Sequence, residues 1–157
     1  MQIIRPLLAA ILGCALVPGL AAAQDGQASA PESPAAAVET GTGDDWIDAR
    51  MRDMDAYAAR HRDAFVDEIV RYLEAPRPLV DEALGPGGMR AGDVYYACAL
   101  ARAGGRPCRT LLDAWRDAAG SWESVAGRLE LEPDARLHPR IRDDIRASYR
   151  RWARPID

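Results

Sequence analysis

The pair of cysteines at Cys98 and Cys108 offers the clearest chemistry in this 157-residue chain. Their spacing allows a disulfide bond, which would close a loop of about eleven residues and stabilise the fold by roughly 3 kcal/mol in the chain-entropy model. The alternative is two unbonded thiols buried as small apolar side chains. We predict the bond, because the amino terminus of the chain indicates an oxidising compartment.

Other reactive side chains do not form a recognisable catalytic or metal-binding pattern. The two histidines, His61 and His138, lack a second His or Cys at ligand spacing, so we predict neither a metal nor another cofactor. Ser121 and Ser124 stand where a helix begins, and the chain has no Gly-x-Ser-x-Gly motif. Adjacent carboxylates would splay around a helix instead of converging. We therefore assign no catalytic residue, although an enzyme without a known motif stays an alternative.

The segment that carries both cysteines has the pattern of two short helices around Gly104 and Gly105. Before this turn, apolar residues recur at i, i+3, i+4 and i+7 and include Cys98, and Cys108 begins the same pattern after it. We expect Asp93 to cap the first helix and Gly104 to supply the left-handed residue that ends it. The sequence therefore predicts a helical hairpin whose cysteines face each other.

The first 23 residues have the pattern of a secretory signal peptide. Met1–Arg5 carries one positive charge, residues 6–20 carry none, and residues 21–23 are the alanines of a cleavage site. A lipoprotein anchored through Cys14 is the alternative, because residues 11–14 read Ile-Leu-Gly-Cys. Cleavage predicts a periplasmic or secreted protein with no transmembrane span in the mature chain, and an uncleaved segment retained as an anchor is a further alternative. Cleavage and lipidation both place the domain in a compartment where disulfides persist.

The mature chain divides into a linker and one helical domain. Residues 24–43 are mostly Ala, Gly, Ser, Pro and Thr, which predicts a disordered linker. Residues 44–157 contain no alternating strand pattern, and we predict an all-α bundle of five to six helices centred on the hairpin. Its first helix, from Asp44 to before Pro76, would be about 45 Å long in a domain roughly 33 Å across. We therefore expect this helix to bend or to project.

The charged and aromatic residues include one candidate interaction surface. All 20 basic residues are Arg and stand against 24 acids, and the net charge of −4 argues against a general polyanion binder. The last predicted helix gathers several of these arginines, and we propose an interaction surface there. Its residues are Arg142, Arg146, Arg150 and Trp152. The four tryptophans are expected to anchor the core, with an aromatic ligand platform as the alternative.

The stretch from Gly120 to Leu131, which reads Gly-Ser-Trp-Glu-Ser-Val-Ala-Gly-Arg-Leu-Glu-Leu, resembles a group of small exported bacterial helical proteins. Members of that group read Gly-Trp-Gly, then Ala, then Leu-Gly-Ile, and the likeness extends over about residues 65–155. This chain departs from the pattern at Ser121, Glu123 and Glu130. The resemblance implies an exported helical fold and no particular activity.

A second resemblance is to helix-turn-helix DNA-binding proteins. Residues 121–131 are similar to the first helix of that motif, and the arginine-rich last helix would be the one that reads DNA. The short turn of the motif is missing, and an exported acidic chain meets no DNA, so we expect no nucleic-acid partner. Our leading hypothesis is an exported, non-enzymatic domain that binds an envelope protein or a cell-wall component. The alternatives are this nucleic-acid binder and an enzyme.

Overall fold

The computed structural model describes residues 41–156, apart from the side chains of Asp134 and Ala135. The predicted signal peptide, the alternative lipid attachment at Cys14 and the linker up to residue 40 lie outside these residues. Residues 41–43, which the sequence assigns to the linker, pack on the first helix. Thr42 is buried there, and its amide and hydroxyl donate to Asp48 Oδ1 over 2.9 and 2.8 Å.

The described residues form an all-α fold of seven helices and one π-helical turn. The helices are α1 (Asp45–Arg60), α2 (Arg62–Tyr72), α3 (Arg77–Ala83), α4 (Ala91–Ala103), α5 (Cys108–Asp117), α6 (Trp122–Arg128) and α7 (His138–Arg151), and the π-helical turn (Pro133–Leu137) precedes α7. The count exceeds the predicted five to six because the long first helix is divided in two.

The division falls at His61, where the backbone leaves the helical region with φ −137° and ψ 50°. The Phe65 amide still donates to the His61 carbonyl over 3.0 Å, so the chain resumes a helix within one turn. The predicted long helix is therefore interrupted at His61. Helix α1 packs on α4, and α2 packs on α3.

Helix α4 is the centre of the bundle, and its residues 91–101 are all buried. It packs against α1, α5 and α7. Small residues are needed where a neighbouring helix approaches its backbone closely. Gly92 is the clearest case: a Cβ at this position would lie 2.5 Å from the Met51 carbonyl oxygen.

The hairpin between α4 and α5 carries the predicted disulfide bond. Cys98 and Cys108 are both buried, their Cα atoms lie 4.5 Å apart, and their sulfurs are bonded. The predicted role of Gly104 is wrong: its φ is −89°, and Gly105 takes the left-handed conformation with φ +66°. The Arg106 amide then donates to the Ala101 carbonyl over 2.8 Å, as in a Schellman motif, where the left-handed residue follows the cap.

The predicted cap of α4 is also wrong. The helix begins at Ala91, so Asp93 already lies inside its first turn. A side chain of α1 instead accepts a hydrogen bond from the first turn of α4: the Gly92 amide donates to Asp55 Oδ1 over 2.8 Å. Asp93 is buried and accepts hydrogen bonds from Trp122 Nε1 at 3.0 Å and Arg90 Nε at 2.9 Å. It therefore ties α4 to α6.

Candidate interaction surface

Four polar side chains meet in the interior between α2, α4 and α7. Ser148 donates to Glu68 Oε1 over 2.6 Å and lies 2.7 Å from the Tyr95 hydroxyl. Arg151 Nε donates to both oxygens of Glu68, at 2.8 and 3.1 Å. The hydrogen bond to Glu68 raises the pKa of Arg151, and burial raises that of Tyr95. Arg151 therefore stays charged and Tyr95 stays neutral near neutral pH.

A serine beside a carboxylate resembles part of a nucleophilic site, but this serine cannot meet a substrate. Ser148 is 1% exposed and Glu68 is 4% exposed. The hydroxyl is held between Tyr95 and Glu68 and has no histidine among these neighbours to act as a base. The cluster therefore joins three helices through polar contacts, and we call it the interior lock.

The histidines occupy different environments. His138 is buried, with Nε2 3.1 Å from the Tyr96 hydroxyl and Nδ1 3.6 Å from Asp44 Oδ2. His61 is exposed and lies against the Tyr57 ring at a centroid distance of 5.0 Å. Across residues 41–156, no three His, Cys, Asp or Glu side chains come close enough to hold a metal ion.

An indole surrounded by guanidinium groups is the most distinctive feature of the surface. The ring centroid of Trp46, on the first turn of α1, lies 5.7 Å from the guanidinium carbon of Arg50. The guanidinium carbons of Arg142 and Arg146, on α7, lie 5.9 and 5.1 Å from the same centroid. These distances are within the range of cation–π attraction. Trp46 is half-buried, so part of its ring is accessible to a ligand.

Arg142 has a structural partner as well. Its Nε donates to Asp44 Oδ2 over 2.8 Å, and its Nη2 lies 2.6 Å from the same oxygen in an ion pair. The other Asp44 oxygen accepts from the amides of Trp46 and Ile47, each at 3.1 Å, which caps α1. The cap residue is 8% exposed. Arg142 thus fixes the start of α1 against α7.

Arg154, just after the end of α7, adds another basic side chain beside α1. Its Nη2 donates to Asp53 Oδ1 over 3.0 Å, and the Tyr149 hydroxyl donates to Asp53 Oδ2 over 2.5 Å. Burial raises the pKa of Asp53, but these two hydrogen bonds together with the positive charges of Arg154 and Arg50 hold the pKa below its usual value. We call the strip formed by Trp46, Arg50, Arg142, Arg146 and Arg154 the arginine seam.

The structure separates the four residues of the predicted surface into two groups. Arg142 and Arg146 lie in the seam, and Arg150 is exposed one turn further along α7. Trp152 does not join them: it stacks on Tyr57 at a centroid distance of 4.3 Å and packs against the core. Of the four tryptophans, Trp122 is buried and the other three are half-buried.

Three seam residues, Trp46, Arg50 and Arg154, were not in the predicted surface. Trp46 and Arg50 precede the last helix by about 90 residues, and only the fold brings them beside it. A local signal did exist, because positions i and i+4 share one side of a helix, so Trp46 and Arg50 lie together there. The adjacent residue Ile47 belongs to the buried stripe, which leaves Trp46 at its edge.

A cleft lies beside the first turn of α1. It has a volume of about 450 Å³ and is lined in part by residues 41–43, Tyr96 and Trp122. Three carboxylates also line it, from Asp45, Asp48 and Glu123. This cleft has the opposite charge to the arginine seam, so an anionic ligand would favour the seam.

The helix-turn-helix interpretation has little geometric support. Residues 129–137, which include the π-helical turn, separate α6 from α7, whereas the motif joins its helices by three or four residues. Arg142 and Arg146, on the helix that would read DNA, lie against Trp46 on α1.

Comparison with models of known protein families, with curated protein sequences and with solved structures finds no match. No helix in residues 41–156 is long and apolar enough to cross a membrane. The described residues form an all-α domain with a disulfide bond between two helices and an arginine-lined strip at its surface. The disulfide fits an extracytoplasmic location.

Proposed function

We propose that this chain is an exported, non-enzymatic binding module that docks a component of the cell envelope through the arginine seam. The observation that carries the proposal is the half-buried Trp46 with three guanidinium groups within 6 Å of its ring. Tryptophan and arginine are the residue types most enriched at the energetic centres of protein interfaces. The seam also crosses two helices fixed by the fold, so its geometry is set before a partner arrives.

Export supports an envelope partner. The amino-terminal pattern indicates a signal peptide cleaved after Ala23, with lipidation at Cys14 as the alternative, and the likeness to small exported helical proteins agrees with both. The Cys98–Cys108 bond would persist in such a compartment. The protein would be periplasmic or secreted, and it would meet envelope proteins and cell-wall material there.

The proposal predicts that capture of an envelope component depends on the seam. Immobilised oxidised protein is incubated with a solubilised envelope fraction, and retained material is compared between the parent chain and the double variant Arg50→Gln/Arg146→Gln. We expect the variant to retain about tenfold less, because interface arginines contribute a large share of binding energy. Arg142 is left intact. Its loss would leave the buried Asp44 carboxylate without its guanidinium partner, which would destabilise the fold.

The control is Arg52→Gln/Arg109→Gln, which removes the same charge from exposed positions outside the seam. Equal retention by the two double variants would count against the seam. Stoichiometric zinc retained after purification, or a hydrolase activity abolished by one Asp or Glu substitution, would favour an enzyme instead.

A further inference from the structure

The arginine seam has two guanidinium groups that the fold leaves available. Within residues 41–156, Arg50 makes no ion pair, and its Nε is buried without a hydrogen-bond partner. Arg146 lies 3.4 Å from Asp143, whose side chain is 80% exposed, so this pair is weak. In contrast, Arg142 and Arg154 are engaged with Asp44 and Asp53.

Both available groups flank one indole ring. The guanidinium carbons of Arg50 and Arg146 lie 5.7 and 5.1 Å from the Trp46 centroid. A guanidinium binds a carboxylate through two parallel hydrogen bonds, and an indole face gives apolar contact to the intervening chain. The site is therefore complementary to two anionic groups joined by a short apolar connection.

The charge of the rest of the protein selects against long polyanions. The chain carries a net charge of −4, so a polymer that extends beyond the seam would meet a negative surface. A lipid bilayer is disfavoured for a second reason. Tyr72 is the one large hydrophobic side chain that is exposed within residues 41–156, and Arg151 lies 3.6 Å from its ring centroid. Apart from the partly exposed Trp46 ring, the seam therefore offers no large apolar side chain to insert into a membrane.

We infer that the seam binds a short acidic segment of a partner protein, with one carboxylate at Arg50, a second at Arg146 and the connecting chain against Trp46. This inference rests on the proposed function and specifies the partner at the same site. The third arginine, Arg142, holds Asp44 and positions the indole but is not required as a carboxylate ligand.

The test is a titration of the oxidised protein with octaglutamate, followed by the nitrogen and proton resonances of the Trp46 indole. The Trp46 resonance is identified by its loss in Trp46→Phe. At about 20 mM salt we expect saturable shifts of this resonance that disappear at about 0.5 M salt, because exposed charge pairs are screened. Octaglutamine serves as the uncharged control peptide and is expected to leave the resonance unchanged.

The variants and a second probe make each outcome decisive. Arg50→Gln/Arg146→Gln is expected to weaken octaglutamate binding at least about tenfold, and Arg52→Gln/Arg109→Gln less than about twofold. Equal weakening by both variants, or no saturable shift, overturns the acidic-segment inference. Binding to phosphatidylglycerol vesicles without binding to octaglutamate also overturns it. In all of these cases the envelope capture, compared between the same variants, still decides the proposed function separately.

Discussion

Glu68→Ala is expected to lower the free energy of unfolding by about 3 kcal/mol, at the lower end of the cost of breaking a buried ion pair. The Glu68 carboxylate is 4% exposed and accepts hydrogen bonds from Ser148 and Arg151. Its removal leaves the donors of both residues without that acceptor. Arg151 has a side chain 32% exposed, so water compensates part of the loss. Urea unfolding followed by circular dichroism measures the change.

Asp67→Ala is the matched control for this prediction. The neighbouring Asp67 also pairs with two arginines, Arg71 at 3.6 Å and Arg77, but its side chain is 40% exposed. Exposed pairs contribute little, so we expect a loss below about 1 kcal/mol. If Glu68→Ala destabilises the protein no more than Asp67→Ala, the interior lock does not hold α2, α4 and α7 together.

Gly92→Ala is expected to destabilise the protein by about 1 to 3 kcal/mol, the usual cost of overpacking, even though alanine is the better helix former. The added Cβ would lie 2.5 Å from the Met51 carbonyl oxygen and 2.7 Å from the Met51 Cβ. Helices α1 and α4 must then move apart, which weakens the hydrogen bond from the Gly92 amide to Asp55. Thermal and urea unfolding measure the loss.

The control for Gly92 is another helical glycine with free space around it. A Cβ at Gly127 in α6 would meet no atom within 4 Å, so Gly127→Ala is expected to stabilise the protein by up to about 1 kcal/mol. The prediction is therefore a difference in sign between the two substitutions. A stabilising Gly92→Ala would mean that α1 and α4 are not in close contact at this glycine.

The hairpin and its disulfide could be predicted from the sequence because all their signals are local. The apolar spacing around Cys98 and Cys108 sets which faces meet, and the glycine pair sets the turn. The prediction of Gly104 as the left-handed residue was wrong. Either glycine can adopt that conformation, so residue type alone does not choose between them. In the structure Gly105 is left-handed, and the hydrogen bond from the Arg106 amide to the Ala101 carbonyl accompanies that conformation.

Long-range polar contacts are the part that the sequence could not supply. Asp93 has the residue type of a helix cap, yet the amide at the start of α4 is satisfied by Asp55 from α1. Similarly, Glu68 and Ser148 are separated by 80 residues and carry no shared pattern. Such pairings depend on how helices cross, which neither periodicity nor capping propensity determines.

Only the part of the seam that lies on α7 could be predicted from the sequence. The spacing of Arg142 and Arg146 places them on one side of α7, and this follows from helical geometry alone. The aromatic residue beside them is not Trp152 from their own helix, because that side chain is directed towards Tyr57 and the core. Trp46 takes this place, and its position depends on the packing of α1 and α7 through Asp44 and Arg142.

The most direct test of the central claim, docking through the arginine seam, is photo-crosslinking in intact cells. The photoreactive residue p-benzoylphenylalanine replaces Arg150, which is exposed on α7 one turn beyond Arg146, or Arg109, which is exposed on α5. We predict a discrete crosslinked product with an envelope component from position 150, lost when Arg50→Gln/Arg146→Gln is added, and no such product from position 109. No product from position 150, or equal products from both positions, would contradict the account.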